Sequence, residues 1–341
     1  MDIRLENVLE YEQPTKYIVK SENYSDDFAL PVLTAGKSFV LGFTDETDGI
    51  CKASESPVII FDDFTADCKY VDFDFKVKSS AMKILHKANT EDNLKYYFYA
   101  MQAIDYTPFS HKRVWISEYS KFKIKNRSIA EQNNIVKELD TVATAIDNAK
   151  QRLNALDELV KSRFIEMFGD PQNNNKQFPT KKLIDVVTLQ RGHDLPVQNR
   201  DSHGSVPVYG SNGVLGFHTI AKCDRGIITG RSGTIGEVYV SEEPFWPLNT
   251  TLYSNNTHGN NLIYLKYLLM FFNLKRFKSG AGVPTLNRNE FHGKEIMDVP
   301  IELQNEFADF VKLIDKSKFI VQKQIDDLQE LLDSKMDEYF G

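Results

Sequence analysis

One part of the sequence occurs twice, and this repeat limits the fold more than any other feature. The segment 129–133 (IAEQN) returns as 301–305 (IELQN), 172 positions later. The segment 167–169 (MFG) returns at the same distance as 339–341 (YFG). A repeat at a constant distance indicates a molecule built from two similar parts.

Both copies have the periodicity of a long helix. Apolar residues step alternately by four and three positions, which is typical of a coiled-coil seam. In the first copy these residues are Ile135, Leu139, Val142, Ile146, Ala149, Leu153, Leu156 and Val160. In the second they are Phe307, Val311, Ile314, Lys318, Val321, Ile325, Leu328 and Leu332, with Lys318 as a polar break. The pair Ser128 and Glu131 is typical of a helix start, and Gly169 of a helix end.

A mixed segment precedes each helix. Val-Leu-Gly-Phe at 40–43 recurs at 214–217. Short β-rich runs indicate strands, and two longer apolar runs indicate helices. The predicted strands are 57–61, 71–77, 226–229 and 237–240, and the predicted helices are 94–103 and 262–277.

These patterns predict a mixed α/β fold with four segments. Two similar globular domains occupy 1–127 and 171–299, each with a small mixed β-sheet and helices, and long helices occupy 128–170 and 300–341. If the long helices pair as an antiparallel coiled coil, a pseudo-two-fold axis relates the halves and the globules are held apart. Such an object can contact two DNA segments at a fixed spacing.

The charge distribution is uneven. The whole chain carries −7, which disfavours a nucleic-acid partner, since phosphate contacts need Lys and Arg. Residues 171–295 nevertheless carry +5 and residues 300–341 carry −5. A basic second globule beside acidic helices is compatible with DNA on one face and protein elsewhere.

Motifs of catalysis and of membranes are missing from the sequence. Neither HExxH, nor Gly-x-Ser-x-Gly, nor the Asn/Asp-Pro-Pro-Tyr/Phe motif of adenine methyltransferases occurs. Gly36-Lys37-Ser38 lacks the first glycine of a P-loop, because Pro31 stands there. The three cysteines are too far apart for a CxxC zinc site. The chain shows neither an apolar run long enough for a membrane span nor an apolar signal segment, so we expect a cytoplasmic protein.

Taken in order, these features resemble the specificity (S) subunits of Type I restriction-modification systems over nearly the whole chain. The resemblance is carried by the two ends of each long helix, and by family-like motifs at 11–17, 62–65, 207–213 and 283–287. The first globule lacks the Tyr-Gly-Ser-Asn-Gly and Pro-Thr-Leu-Asn motifs of the second.

The resemblance implies a function without catalysis in this chain. It implies two target-recognition domains that bind a bipartite double-stranded DNA sequence, and helices that scaffold two adenine-N6 methyltransferase subunits. Restriction subunits can join that complex. S-adenosylmethionine, ATP and Mg²⁺ are then expected in the partner subunits and no cofactor in this chain.

Basic and small polar residues are the candidates for DNA contact. The glycine-rich run 230–236 is either a hairpin loop that needs positive φ or a close approach to DNA through Arg231, since arginine suits guanine. The cations near 275–278 either complement a helix dipole or hold phosphates. Asp62 or Asp63 could accept from a cytosine amino group. The candidates are Lys16, Tyr17, Lys37, Lys76, Lys78, Lys112 and Arg113 in the first globule, and Arg191, Ser211, Asn212, Arg231, Ser232, Lys275, Arg276, Lys278, Thr285, Asn287 and Arg288 in the second.

Three alternatives stay open at this point. The same DNA reader could serve a methylation system without restriction subunits. A protein–protein scaffold that binds no DNA is favoured by the net charge of −7. A standalone endonuclease would show Mg²⁺-dependent cleavage by the purified chain.

Overall fold

The computed structural model describes residues 2–36, 38–201, 203–280 and 282–341. The chain separates into two compact units, with unit 1 formed by 1–149 and 324–341 and unit 2 formed by 150–323. Each unit therefore contains one globule and a part of each of two 40-residue helices.

The elements follow one another in a repeated order. Nine strands belong to the described part of the first globule: β1 (Asp2–Arg4), β2 (Leu9–Glu12), β3 (Leu30–Leu33), β4 (Val40–Thr44), β5 (Val58–Asp62), β6 (Cys68–Val71), β7 (Lys76–Val77), β8 (Met82–Lys87) and β9 (Lys123–Lys125). Its helix is α1 (Leu94–Gln102), and the first long helix is α2 (Ile129–Phe168).

The second half repeats this order and adds a hairpin. Its strands are β10 (Thr180–Lys182), β11 (Thr188–Arg191), β12 (Val206–Gly210), β13 (Gly213–His218), β14 (Gly226–Gly230), β15 (Val238–Ser241), β16 (Trp246–Pro247), β17 (Thr251–Asn256), β18 (Lys278–Ser279), β19 (Thr285–Leu286) and β20 (Glu295–Met297). Its helices are α3 (Leu183–Val186), α4 (Leu262–Phe272), α5 (Asn289–His292) and the second long helix α6 (Ile301–Phe340).

Sheet topology shows the repeat more clearly than the sequence does. Unit 1 has a four-stranded sheet in the order β2-β8-β5-β6 and a three-stranded sheet in the order β4-β3-β7. Unit 2 has the same two sheets as β11-β17-β14-β15 and β13-β12-β16. Even the register shift inside β3, at Val32/Leu33, recurs in β12 at Val208/Tyr209. The hairpin β18–β19 pairs only in unit 2, among the described residues.

The core of each unit includes the long helices. In unit 1, Tyr96 of α1 lies 5.4 Å from Phe340 of α6, between ring centroids, and Ile135 and Leu139 of α2 are buried in the same core. In unit 2, Phe164 of α2 lies 5.4 Å from Phe307 of α6, and both are fully buried. The long helices are thus part of both hydrophobic cores.

The seam predicted for the helices is buried or half-buried at every position, and the helices run antiparallel within each unit. In unit 1, Glu138 accepts a hydrogen bond from Tyr339 (2.6 Å) and pairs with Lys335 (3.4 Å). In unit 2, Arg163 pairs with Glu306 (2.9 Å) and Asp157 with Lys318 (2.6 Å). The polar break at Lys318 is therefore satisfied by a carboxylate on the opposing helix.

The predicted helix ends are confirmed. The Ser128 backbone N–H donates to the Glu131 carboxylate at 2.9 Å, and the Ser128 hydroxyl accepts from the Glu131 N–H at 3.4 Å, which is a capping box. Gly169 follows α2 with φ +75°, a conformation that costs least for glycine.

The repeated Gln-Asn pair fastens a globule helix to each long helix. Gln304 is 1% exposed, accepts the backbone N–H of Asn261 (2.9 Å), and donates to the Asn260 side chain (2.7 Å) and the Val299 carbonyl (2.8 Å). Asn261 is the N-cap residue of α4. In unit 1, Gln132 accepts the N–H of Asn93, the N-cap residue of α1, at 2.9 Å.

Two sequence predictions needed correction. The predicted strand 71–77 is interrupted: β6 ends at Val71, β7 begins at Lys76, and Asp74 between them binds Lys52 and Ser54 through its carboxylate. The predicted helix 262–277 ends as an α-helix at Phe272, where Asn273 has φ +58°. None of the helices in the described ranges has the length and apolar character that crossing a membrane requires.

A buried histidine links β11 to α5. His292 is 8% exposed, and its Nε2 lies 3.2 Å from the backbone N of Leu189, whose N–H donates to it. Burial, followed by the nearby Arg288 charge, lowers the pKa of His292. The ring is therefore neutral, with Nε2 as an acceptor.

We expect Gln304→Ala to lower the free energy of unfolding by about 2–4 kcal/mol, because three buried hydrogen-bonding groups lose their partner. Urea unfolding followed by circular dichroism measures the change. Gln329→Ala, on an exposed part of the same helix, is the control and should cost less than about 0.5 kcal/mol. Equal losses in both variants would contradict the role given to Gln304.

His292 should also make the free energy of unfolding decrease as the pH is lowered. Since its pKa is lower in the folded chain, the unfolded chain takes up the proton first as the pH falls below about 6.5, and folding is weakened there. His292→Gln should therefore lose less stability than the unmodified chain between pH 7.5 and 5.5, in urea unfolding at each pH. The control variant is His203→Gln, which removes a histidine whose side chain is 96% exposed.

Candidate nucleic-acid interface

An arginine-lined groove of about 500 Å³ lies on unit 2. The end of β11, the loop after β14, the β18–β19 hairpin and the start of α5 form it. Three of its lining residues are arginines: Arg191, Arg231 and Arg288. Polar lining side chains include Ser279, Thr285, Asn287 and Asn289. We call this surface the arginine groove.

The glycine-rich loop 230–236 brings Arg231 into the groove. A side chain on Gly230 would meet the Thr234 carbonyl oxygen at 1.7 Å, and Gly233 has φ +90°. Both positions therefore require glycine. The backbone N–H of Arg231 donates to the Thr250 carbonyl (2.8 Å), and its own carbonyl accepts from the Leu286 N–H (2.7 Å). The run is both a strand connection and a groove wall, so the two alternatives left open by the sequence are compatible.

The guanidinium of Arg231 is also held in place. Its Nη1 donates to the backbone carbonyl of Asn249 at 3.3 Å, and the Asn249 amide in turn donates to the Asp194 carboxylate. Arg231 is half-buried, whereas Arg191 is exposed. One arginine of the groove is thus fixed and another lies at a solvent-exposed edge.

The arginine groove carries positive charge without neutralising carboxylates. Among the described residues, neither Arg191 nor Arg231 nor Arg288 has a carboxylate oxygen within 4.0 Å, and the lining contains no Asp or Glu. Uncompensated cations in a groove attract anions and hydrogen-bond acceptors. The groove is therefore suited to phosphate oxygens and to acceptor atoms of bases.

Other predicted residues of unit 2 flank the groove. Ser211 lies beside the glycine loop, with its hydroxyl 3.2 Å from the position of a Cβ on Gly233. Ser232 bridges to Thr285, and the Lys275 side chain lies along Gly236 and 3.8 Å from the Glu237 carboxylate. The remaining exposed candidates are Asn212 on the β12–β13 turn and Lys278 on β18.

Arg276 is exposed, and its guanidinium also contacts neighbouring side chains of unit 2. Its guanidinium carbon lies 4.4 Å from the ring centroid of Phe272 and 4.8 Å from that of Phe277. Its Nη1 donates to the Gln172 side chain at 2.9 Å. These contacts give Arg276 a packing role in unit 2.

The cations predicted in unit 1 are mostly paired with carboxylates. Lys16 pairs with Glu12 at 2.6 Å, and this hydrogen bond is the first cause of its raised pKa. Tyr17 also donates to Glu12, at 3.3 Å, and Lys78 pairs with Glu22.

Two further candidates of unit 1 lie close together in sequence. Arg113 donates to the Ser80 carbonyl at 3.1 Å and lies 3.9 Å from the Asp63 carboxylate, while Lys112 is exposed. Lys37 lies outside the described residues. Unit 1 therefore offers a less positive surface than unit 2 at the predicted positions.

Burial corrects three predictions in unit 1. Lys76 is 1% exposed, pairs with Glu46 at 2.9 Å and donates to the Asp48 carbonyl at 2.6 Å, so it cannot contact a phosphate. Asp62 and Asp63 are 6% and 1% exposed. Their carboxylates accept backbone N–H groups of the chain and are not presented to a cytosine amino group.

Some residues of the groove were not predicted. Ser279 and Asn289 line it, and Asn249 holds Arg231. Asn289 directly follows the family-like motif and Arg288, so its position in the sequence was a usable signal. The sequence held no comparable signal for Asn249, because its backbone carbonyl is brought to Arg231 only by the turn before β17.

Neither a metal site nor a thiol of lowered pKa is seen among the described residues. In the described ranges, no group of three or more His, Cys, Asp or Glu side chains is placed to hold a metal ion. Burial raises the pKa of Cys51 and Cys223 to about 11 and that of Cys68 to about 12. These thiols are therefore protonated at neutral pH.

Comparison with known proteins places the arginine groove inside a known domain. A family model described as the Type I restriction modification DNA specificity domain matches residues 175–330. Over 162 residues the chain is 47% identical to the Type I restriction enzyme EcoR124I/EcoR124II specificity subunit of Escherichia coli. That alignment covers 44% of this chain and 40% of the relative, so it spans less than half of either protein.

Solved structures share the fold over the whole chain. The Type-I restriction-modification system S subunit from M. genitalium matches with a TM-score of 0.64 at 15% identity, covering 100% of this chain and 96% of that one. A structure that explains complex assembly and conformational transition of the type I R-M system matches with a TM-score of 0.56 at 13% identity, covering 99% and 97%. Residues 175–330 therefore match the Type I restriction modification DNA specificity domain, and the whole chain shares the fold of these two solved structures.

Proposed function

We propose that this chain is the DNA-reading subunit of a Type I restriction-modification complex and has no catalytic role of its own. Each unit reads one half of a split double-stranded DNA sequence. Two adenine-N6 methyltransferase subunits, which bind S-adenosylmethionine, are positioned on that sequence, and restriction subunits that use ATP and Mg²⁺ join them.

The arginine groove is the observation that carries this proposal. A chain of net charge −7 binds DNA only where its cations are left uncompensated. The groove meets that condition, and it lies within residues 175–330, the part matched by the DNA specificity domain. Its mixture of arginine, amide and hydroxyl side chains suits contact with phosphates and with base edges.

A protein partner is supported by an exposed apolar patch on α6 within unit 2. Leu313, Phe319 and Ile320 are 62%, 73% and 67% exposed. Large apolar side chains grouped on a helix surface are typical of a protein interface. We assign this patch, Leu313–Ile320, to contact with a methyltransferase subunit. The patch would also serve a scaffold that binds no DNA, so DNA reading needs its own test.

The proposal is tested by mapping methylated bases. A methylation-free bacterial host expresses this chain together with the methyltransferase encoded beside it, and its methylome is sequenced. We expect N6-methyladenine at one split sequence, lost when either protein is omitted. Exchange of residues 171–299 for those of another family member should change one half of the sequence only. Co-purification of the two proteins without any methylated split sequence would favour the scaffold.

The apolar patch gives a separate prediction about assembly. Phe319→Ser with Ile320→Ser should weaken binding of the methyltransferase about tenfold or more, because buried aromatic and aliphatic anchors dominate interface energies. Titration of the purified proteins measures the dissociation constant. Val197→Ser, an apolar residue of the same unit that is 71% exposed, is the matched control and should bind normally. Unchanged binding by the double variant would place the partner elsewhere.

A further inference from the structure

We propose that Arg231 reads a guanine in the half-site bound by unit 2. This inference rests on the proposed function and adds to it the base that one side chain selects. It is drawn from the position of Arg231 in the arginine groove, its rigid backbone and the residue found at the same place in unit 1.

The donor arrangement of Arg231 suits guanine. In the major groove guanine presents two acceptors, O6 and N7, and a guanidinium can donate to both at once. Nη1 donates one N–H to the Asn249 carbonyl. The other N–H groups of the planar guanidinium remain available to a base. Asn287 and Asn289 line the same groove, and amides pair with adenine, so they suit neighbouring positions.

Rigidity distinguishes Arg231 from the other groove arginines. Base reading requires a side chain held in one position, whereas a phosphate contact tolerates a mobile one. Arg231 is tied by its N–H to Thr250, by its carbonyl to Leu286 and by its guanidinium to Asn249. The backbone of Arg191 is also held, by pairing with Leu252 in the β11–β17 ladder, but its side chain is exposed and its guanidinium has no hydrogen-bond partner among the described residues, so we assign it to phosphate.

The equivalent position in unit 1 carries the opposite charge. Arg231 follows the last residue of β14, and Asp63 follows the last residue of β5. The Leu286 N–H donates to the Arg231 carbonyl as the Val114 N–H donates to the Asp63 carbonyl (3.0 Å). The Asp63 carboxylate is buried and accepts from Val114 and Trp115 (3.1 and 2.9 Å). Guanine reading at this position is therefore specific to unit 2.

The test combines a protein change with a base change in the assembled complex. Once the split sequence is known, its unit 2 half is identified by the exchange of residues 171–299. Duplexes then carry 7-deazaguanine, which lacks the N7 acceptor, at each guanine of that half. We expect one such substitution to weaken binding by about tenfold for the unmodified complex and to have no further effect on the Arg231→Ala complex.

A second variant separates base reading from charge. Arg191→Ala should weaken binding to all duplexes alike and reduce the salt dependence, but should keep full sensitivity to 7-deazaguanine. The inference would be overturned if the unit 2 half-site contained no guanine, or if every 7-deazaguanine duplex bound normally. Either result would leave the proposed function, with its split methylated sequence, intact. Absence of any split methylated sequence would instead overturn the proposed function. The base substitution leaves the protein unchanged, so the result does not depend on the folding of a variant.

Discussion

The buried glutamine at the first turn of each long helix is the contact on which each half of this molecule depends. Gln304 and Gln132 each accept the N-cap N–H of a globule helix, and the neighbouring asparagines bond side chain to side chain at 2.9 and 2.8 Å. The first N–H groups of a helix have no partner within that helix. The glutamine side chain of the long helix accepts one of them. Their pairing fixes the orientation of the globule on the helix through directional bonds, which apolar packing alone would not do.

The two units share the same sheets and the same helix contacts, but their surface loops and surface charges differ. Strand order and the register shift are the same in both, and the same helix is clamped in both. The loops at the sheet ends are free of that constraint. Unit 2 therefore carries an added hairpin and three uncompensated arginines, while the predicted cations of unit 1 are mostly paired with carboxylates. The local charge of a surface, and not the net charge of the chain, decides whether DNA can bind it.

The sequence predicted features that depend on neighbours along the chain. The capping box at Ser128, the stop at Gly169 and the seam with its break at Lys318 all followed from spacing, and the structure confirms them. It could not predict features that depend on distant partners. Lys76 looked exposed in an alternating strand, but Glu46 and the Asp48 carbonyl, far away in sequence, hold it inside. The contacts of Arg276 with Phe272 and Gln172 were likewise not visible in the sequence.

The contrast between Arg231 and Asp63 shows that equivalent positions of the two units can carry side chains of opposite charge. Both residues leave a central strand at the same place, and both receive a backbone N–H from a later segment. In unit 1 the side chain bonds to the backbone and becomes part of the core, which fixes its rotamer but removes it from the surface. In unit 2 one N–H of the guanidinium bonds to the Asn249 carbonyl, and the other donors of the side chain stay available to a ligand. Because the backbone bonds do not depend on the side chain, the residue at this position can change without a change in the fold around it.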